Sequence, residues 1–453
     1  MMHQTMSRRD LIKRASSLGV VLCLPHLPTS FARTSFATSL RSEQAEGSHP
    51  TELNRPVCPF GAAPETASFI DPTARIAHAD HVTLGQHVYI GPFASLLADE
   101  HAEIEIGEES NVQDNVRIYG SLHRSADDEA RVRALGLHAG VEIAERCILA
   151  HGATVKGPAQ LGVGGGPIAA NPDEHQEVFL SFGCEVDGAI LEQNTGVSAL
   201  ARVGPGVRLR SGFTVLPGKN VTTQAEADDP DLGKVRRIVE DDVAFNEAVI
   251  EVNVGFAQEY TRMFYLDASS VRGINLNPGL TAFNPARHAP ILDPGLPSRV
   301  PEFRNRIIGA VYLSDSLNRL DAVMGERISL RADEGDPIQL GHIHSMGDDV
   351  IFHALEESDV SVGDNVLYGE RVIVHGGGRR VLGEQSIGDE EEPTFIGDEV
   401  TLKDQSVVFR SQIARGCSIG TKSAVVNSEL PPRTVIPDRV IYLNNAIFGP
   451  VEW

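Results

Sequence analysis

The stretch IDPTARIAHADHVTLGQHVYIGPFASLLAD (residues 70–99) places a small or aliphatic residue at every sixth position: Ile70, Ile76, Val82, Val88 and Ala94. Six residues hold one short strand and one turn, a period that fits neither an amphipathic helix nor a long strand. Three such strands close one triangular coil of about 18 residues, and stacked coils form a parallel β-helix. The aliphatic position then points into the prism, while Gly or Asn accepts the turn geometry at the corners. Hexapeptide repeats of this sort wind left-handed, an exception to the usual crossover rule.

Outward from this stretch the pattern runs over residues 68–119, resumes at VEIAERCILAHG (141–152) and continues to VLPGKN (215–220). TTQAEADDPDLGK (222–234) reads as a solvated linker, and VAFNEAVIEVNVGFAQEYTRMFYL (243–266) has the apolar spacing of an amphipathic helix. Residues 274–303 contain six prolines and read as an interdomain linker. The repeat restarts beyond it, and VIYLNNAIFGPVEW (440–453) is too short and too interrupted by Pro and Gly for a second long helix. The expected fold is all-β, with two tandem left-handed parallel β-helix domains over 55–273 and 304–453, the first followed by a C-terminal α-helix.

At 453 residues the chain exceeds what one small core needs. Its 39 basic and 62 acidic side chains give a formal net charge of −23 with no Lys/Arg tract. Nucleic acid and anionic membrane surfaces are therefore poor partners. At the N-terminus, SRRDLIKR (7–14), the apolar run ASSLGVVLCLP (15–25) and small residues around SFARTSFA (30–37) resemble a twin-arginine export signal over residues 1–40. That reading makes the protein periplasmic, and the route carries folded proteins, often with metal in place. Nothing else approaches the length of a membrane-spanning helix. Cys58, Cys147, Cys184 and Cys417 lack CxxC spacing, which argues against a thiolate zinc site. The periplasm permits a disulfide, the pairing stays open, and a buried small hydrophobe is the preferred reading of each.

Two stretches are near-copies: LAHGATVKG (149–157) and YGERVIVHG (368–376). The first has His151 and Lys156 where the second has Glu370 and His375. His353 and His375 are 22 residues apart, one coil plus a four-residue loop, so their imidazoles can lie one above the other on one edge. His101, His123, His138, His342 and His344 read as surface residues.

Taken together, IDPTARI, NVQD (111–114), LAH, KGPA, TTQAEAD and NEAVIEVNV (246–254) in the first half resemble γ-class carbonic anhydrases. RADEGDPI (331–338), FHALE (352–356) and VHG (374–376) in the second half do the same, so almost the whole chain past the leader is covered in two copies. In that family two histidines of one subunit and one of its neighbour bind the metal. Carried over, the resemblance implies a site of His353 and His375 from the second half with His151 from the first. Each half alone is eroded, with Tyr119 and Lys156 in the first and Glu370 in the second at the remaining positions. Three neutral imidazoles leave Zn²⁺ one open position, and Fe²⁺ or Co²⁺ could take the same ligands. The implied activity is reversible hydration of CO₂ to bicarbonate by a zinc-bound hydroxide.

The resemblance also implies roles around the metal. Glu334 lies close to the metal-bound water, Glu356 is the proton shuttle, and Asn253, Gln113 and Asn111 serve the substrate. Arg331 and Asp333 are positioning residues, with Asp348 or Asp114 as the buried partner of Arg331. Leu97 replaces the family's Arg in the first half, and Glu251 stands where the family often has Tyr. Prism packing implies a homo-oligomer with trimer-like packing. Three alternatives stand beside this reading: second halves associating with Glu370 as the third ligand, a non-catalytic scaffold or assembly subunit, and a hexapeptide acyltransferase.

Overall fold

The computed structural model describes residues 38–39, 56–58, 64–165, 177–276, 300–334, 337–355, 358–377 and 393–453. Their strands are two to five residues long and stack, mostly parallel, into six sheets: three for a first prism and three for a second. One inward column of the first prism runs Ile76, Leu96, Ile118, Val155, Val186 and Val203, each paired in register with the next. Its counterpart in the second prism runs Leu330, Phe352, Val374, Val408 and Val425. Each prism buries its own apolar core. The six-residue period thus does what it dictates, carrying an apolar side chain to each successive wall, so that every third one returns to the same wall one coil on. This is the expected all-β class of tandem hexapeptide-repeat prisms, the first followed by a helix.

That helix spans Glu240–Leu266. Its acidic first turn, Glu240, Asp241 and Asp242, opposes the positive end of the helix dipole, and the Asp242 carboxylate accepts from the Val239 N–H at 2.9 Å. Phe256, Ala257, Tyr260 and Met263 lie on its buried stripe against Phe69 and Tyr89 of the first prism and Ile308 of the second. One helix therefore packs on both prisms.

The prisms also touch directly. Ala150, Phe182 and Leu200 of the first bury against Ile351, Ile373 and Val407 of the second. Buried Arg306 pairs with buried Asp71 at 3.2 Å, Arg117 with Asp349 at 2.9 Å, and the Trp453 indole N–H donates to the Leu200 carbonyl at 2.6 Å. Gly152 marks one close approach. It has φ +69°, and a Cβ there would lie 3.2 Å from Ile373 Cδ1.

Several local expectations change. The stretch read as a solvated linker folds into a short helix, Gln224–Asp228, with a Thr223–Glu226 capping box and buried Ala227. A further helix, Ala126–Ala134, fills the break in the first repeat. Ile274–Leu276, placed in the Pro-rich linker by its sequence, pairs parallel with Arg306–Gly309 and starts a sheet of the second prism; residues 277–299 lie outside the described residues. The stretch read as an export signal, 1–40, also lies outside them, except Thr38–Ser39, which pairs with Leu84 and Thr83. All four cysteines beyond the leader are free thiols, three of them buried. No described helix is long and apolar enough to cross a membrane.

Candidate metal centre

His353 and His375 end the neighbouring strands Ile351–His353 and Ile373–His375, and their Cα atoms are partners in the parallel register. Phe352 and Val374 point into the core, so alternation sends the next side chain of each strand outward on the same face. His151 comes from the other prism, at the corner that follows Cys147–Leu149. The three ring centroids form a nearly equilateral triangle, 5.0 Å for His151–His353, 5.2 Å for His151–His375 and 5.1 Å for His353–His375. One nitrogen from each ring lies within 4.8 Å of the other two. All three residues are buried, with 0%, 3% and 6% exposure for His151, His353 and His375. A single chain brings them together.

Burial, and after it the neighbouring His353, pushes the pKa of both His151 and His375 well below the ordinary histidine value. These imidazoles are therefore neutral, the state in which histidine binds a metal. His375 Nδ1 lies 3.2 Å from the Gly376 carbonyl, which leaves Nε2 as its free donor. His151 Nδ1 and His353 Nε2 are buried with no hydrogen-bond partner. His151 Nε2 and His353 Nδ1 are 3.1 Å apart, close to the roughly 3.3 Å between two ligands of one tetrahedral zinc with bonds of about 2.0–2.1 Å. A neutral all-nitrogen donor set fits zinc, iron or cobalt.

Behind the rings runs a buried chain of charge that crosses the seam. Asp114 Oδ1 lies 3.7 Å from His151 Nδ1 and 2.5 Å from Arg331 Nη1, and the Ser329 hydroxyl donates to its other oxygen. Arg331 Nε donates to Asp333 at 2.9 Å, and Asp333 lies 3.5 Å from His353 Nε2. Tyr260, on the long helix, donates its hydroxyl to Asp333, and the Arg331 guanidinium sits 4.8 Å from the Phe256 ring centroid. Burial raises the Asp333 pKa, but Arg331 foremost outweighs it, so the carboxyl is held below its usual range. Burial likewise works against the Arg331 cation, and Asp114 and Asp333 reverse the shift, raising its pKa well above the ordinary value.

Beside the triad lies a cavity of about 150 Å³. Phe179, Phe182, Phe245, Val249 and Val252 make its apolar wall, and Gln113, Asn253, Glu334, His353 and His375 bring polar groups to it. Glu334 Oε1 is 3.3 Å from His353 Nε2. Asn253 donates one amide N–H to the Val249 carbonyl at 2.8 Å and keeps its other amide groups.

Other residues singled out by the sequence stand elsewhere. Asn111 is fully buried, does not line the cavity, and has no hydrogen-bond partner for either amide atom. Asp348 is not the partner of Arg331. It sits 41% exposed at a turn, accepting from the Glu326 N–H at 2.9 Å and pairing with Arg327 at 3.2 Å, because Arg331 faces the first prism and meets Asp114 there. Glu370 is exposed at a corner of its own prism and takes no part in the cluster. Glu356 lies outside the described residues. His101, His123, His138, His342 and His344 are all exposed.

Sequence reasoning missed the Phe179, Phe182 and Phe245 wall and the Tyr260 clasp on Asp333. Tyr260 stands seven residues after Asn253 in the helical stretch, two turns along the same stripe, and that spacing is a usable signal. The phenylalanines carry none, because their meeting depends on how the two prisms pack.

No family model matches the sequence. A carbonic anhydrase of Methanosarcina thermophila is 31% identical over 216 residues, which is 45% of this chain and 79% of that protein. The carboxysome assembly protein CcmM of a Nostoc species is 27% identical over 150 residues, 31% of this chain and 23% of that protein. CcmM of Synechococcus elongatus is also 27% identical, over 122 residues, 25% of this chain and 20% of that protein. The match to the Methanosarcina protein covers most of its length. The chain belongs to the γ-class carbonic anhydrase family.

Proposed function

We propose that the protein is an exported carbonic anhydrase that catalyses reversible hydration of CO₂ to bicarbonate, with zinc held by His151, His353 and His375 between its two prisms. The observation that carries this reading is the convergence of three buried imidazoles, two of them held neutral by burial, beside an apolar cavity. Zinc, when bound, supplies the Lewis acidity that generates a nucleophile from water near neutral pH. Iron or cobalt fits the same donors.

The chain's own residues do the rest. The Asp114–Arg331–Asp333 chain crosses the seam from 3.7 Å off His151 Nδ1 to 3.5 Å off His353 Nε2, so a buried carboxylate stands beside each of these two rings before a metal arrives. The phenylalanine wall excludes water and suits an apolar substrate, and the amides of Asn253 and Gln113 offer hydrogen bonds to its oxygens. Glu334 is the carboxylate at the cavity able to accept a proton, and the family resemblance gives Glu356 the proton-shuttle role. One chain supplies both sides of the triad, so the trimer-like homo-oligomer expected from prism packing is not required to build the site. Export to the periplasm rests on the leader over residues 1–40.

The scaffold reading draws support from the CcmM relatives, and the intact triad weighs against it. Stopped-flow CO₂ hydration by the zinc-loaded protein decides between them. The wild type is expected to catalyse, and His151→Ala to lose at least about 100-fold. A zinc-loaded wild type no faster than buffer would establish the scaffold.

A further inference from the structure

Away from the triad, the prisms face each other along two columns of side chains that the repeat generates. On the first prism the opening residues of one sheet's strands pair in register as Arg75, Ser95, Arg117 and Thr154. On the second, left-handed corners stack as Arg327, Asp349 and Arg371, with φ of +58°, +61° and +58°. Backbone bonds tie these corners coil to coil: the Asp349 N–H donates to the Glu326 carbonyl at 2.9 Å, and the Arg371 N–H to the Asp348 carbonyl at 2.8 Å. Stacked strands lie about 4.8 Å apart, so Arg75 stands about 10 Å from Arg117, and Arg327 about 10 Å from Arg371. Between the columns lies a cleft of about 330 Å³, lined by all four arginines, by Asp349 and by the hydroxyl residues Ser95 and Tyr119.

Four guanidiniums meet two carboxylates there. Arg117 Nη2 donates to Asp349 at 2.9 Å, while Arg327 donates to Asp349 at 2.7 Å and to Asp348 at 3.2 Å. Arg371 Nε stays 3.9 Å from Asp349, beyond hydrogen-bond range, and Arg75 makes no ion pair among the described residues. Two cations are therefore left over at one concave site, in a chain whose formal net charge is −23. Solvated arginines with no ligand to meet would be expected to scatter over such a surface rather than converge.

We propose that this cleft binds a doubly charged oxyanion of the phosphate class, held chiefly by Arg75 and Arg371 across the seam. Such an ion supplies what the arginines lack, two negative charges and acceptor oxygens on every side that match guanidinium forks. Its contacts join an arginine of the first prism to one of the second, so binding stabilises the seam. The cleft shares no residue with the triad or its cavity, so the proposal stands or falls apart from the turnover site.

The test titrates the full chain, zinc-loaded wild type and His151→Ala alike, with inorganic phosphate by calorimetry at about 0.15 M ionic strength. The expected result is a site with a Kd below about 1 mM that His151→Ala retains and sulfate displaces. Replacing both Arg75 and Arg371 by Ser, at exposed positions, weakens it at least about tenfold. Arg415→Ser, at a 64% exposed arginine paired with Glu399, leaves it unchanged. In parallel, phosphate raises the thermal midpoint of the His151→Ala protein, and raises it less when the two arginines are also replaced. No saturable binding to His151→Ala below about 10 mM phosphate overturns the proposal. So does equal affinity in the doubly replaced protein, or equal displacement by chloride at matched ionic strength.

Discussion

Strand Arg117–Tyr119 of the first prism and strand Ile351–His353 of the second occupy matching places in their repeats, yet they end differently. Tyr119 is paired in register with Lys156, whereas His353 is paired with His375. Lys156 keeps 28% side-chain exposure and an ion pair with Glu185 at 2.7 Å. His353 and His375 are buried against the other prism with His151. The corners diverge in the same way: His151 is buried in the seam, and Glu370 is exposed. His151, His353 and His375 are buried neutral donors, whereas Lys156 and Glu370 carry charges and keep solvent exposure. A buried unpaired charge is costly and a solvated one is not, so the packing of the prisms decides which copy could lose its histidine. A lysine where His375 has its counterpart would also repel a dication.

That contrast breaks most sharply at the ligands. His375→Ala is expected to abolish tight metal binding and CO₂ hydration, while Lys156→Ala leaves both in place; metal analysis of the two purified variants checks this. Next comes the charge chain. Arg331→Ala leaves Asp114 and Asp333 buried without a cation and is expected to cost about 3–5 kcal/mol, read from chemical denaturation.

The pH dependence of the apo protein sharpens the same point. His151 and His375 have folded-state pKa values below their unfolded ones, so their sites cost nothing above about pH 6.5. Below it the unfolded chain takes up protons that the folded chain refuses, and stability falls by up to about 2.7 kcal/mol per pH unit for the two groups. Denaturation midpoints between pH 7 and about 5 should flatten when both are replaced, and metal should steepen the original slope because it binds only neutral imidazole. The smallest effect belongs to the solvent-facing copy. Asp348→Ala and Glu370→Ala should each change stability within about 0.5 kcal/mol and leave metal content unchanged. A metal-free Glu370→Ala protein would instead revive the site built from second halves.

Much of this was legible in the sequence, because a six-residue period fixes which side chains share a wall. The period allowed His353 above His375, and the family resemblance carried by the LAH and VHG motifs implied that His151 joins them. It could not choose between Asp114 and Asp348 for Arg331, since both follow the same repeat position and only the direction of the seam separates them. The stretch at 222–234 was misread because its acidic composition hid the Thr223–Glu226 capping box. The phenylalanine wall was invisible for a different reason. Phe179 and Phe182 come from a coil of the first prism and Phe245 from the long helix, and no local pattern links them.

The most direct test is anomalous diffraction at the zinc edge from crystals of the zinc-loaded chain. The account predicts one ion bound by nitrogens of His151, His353 and His375, all from the same polypeptide. An ion held elsewhere, or one whose ligands exclude residue 151, would contradict it.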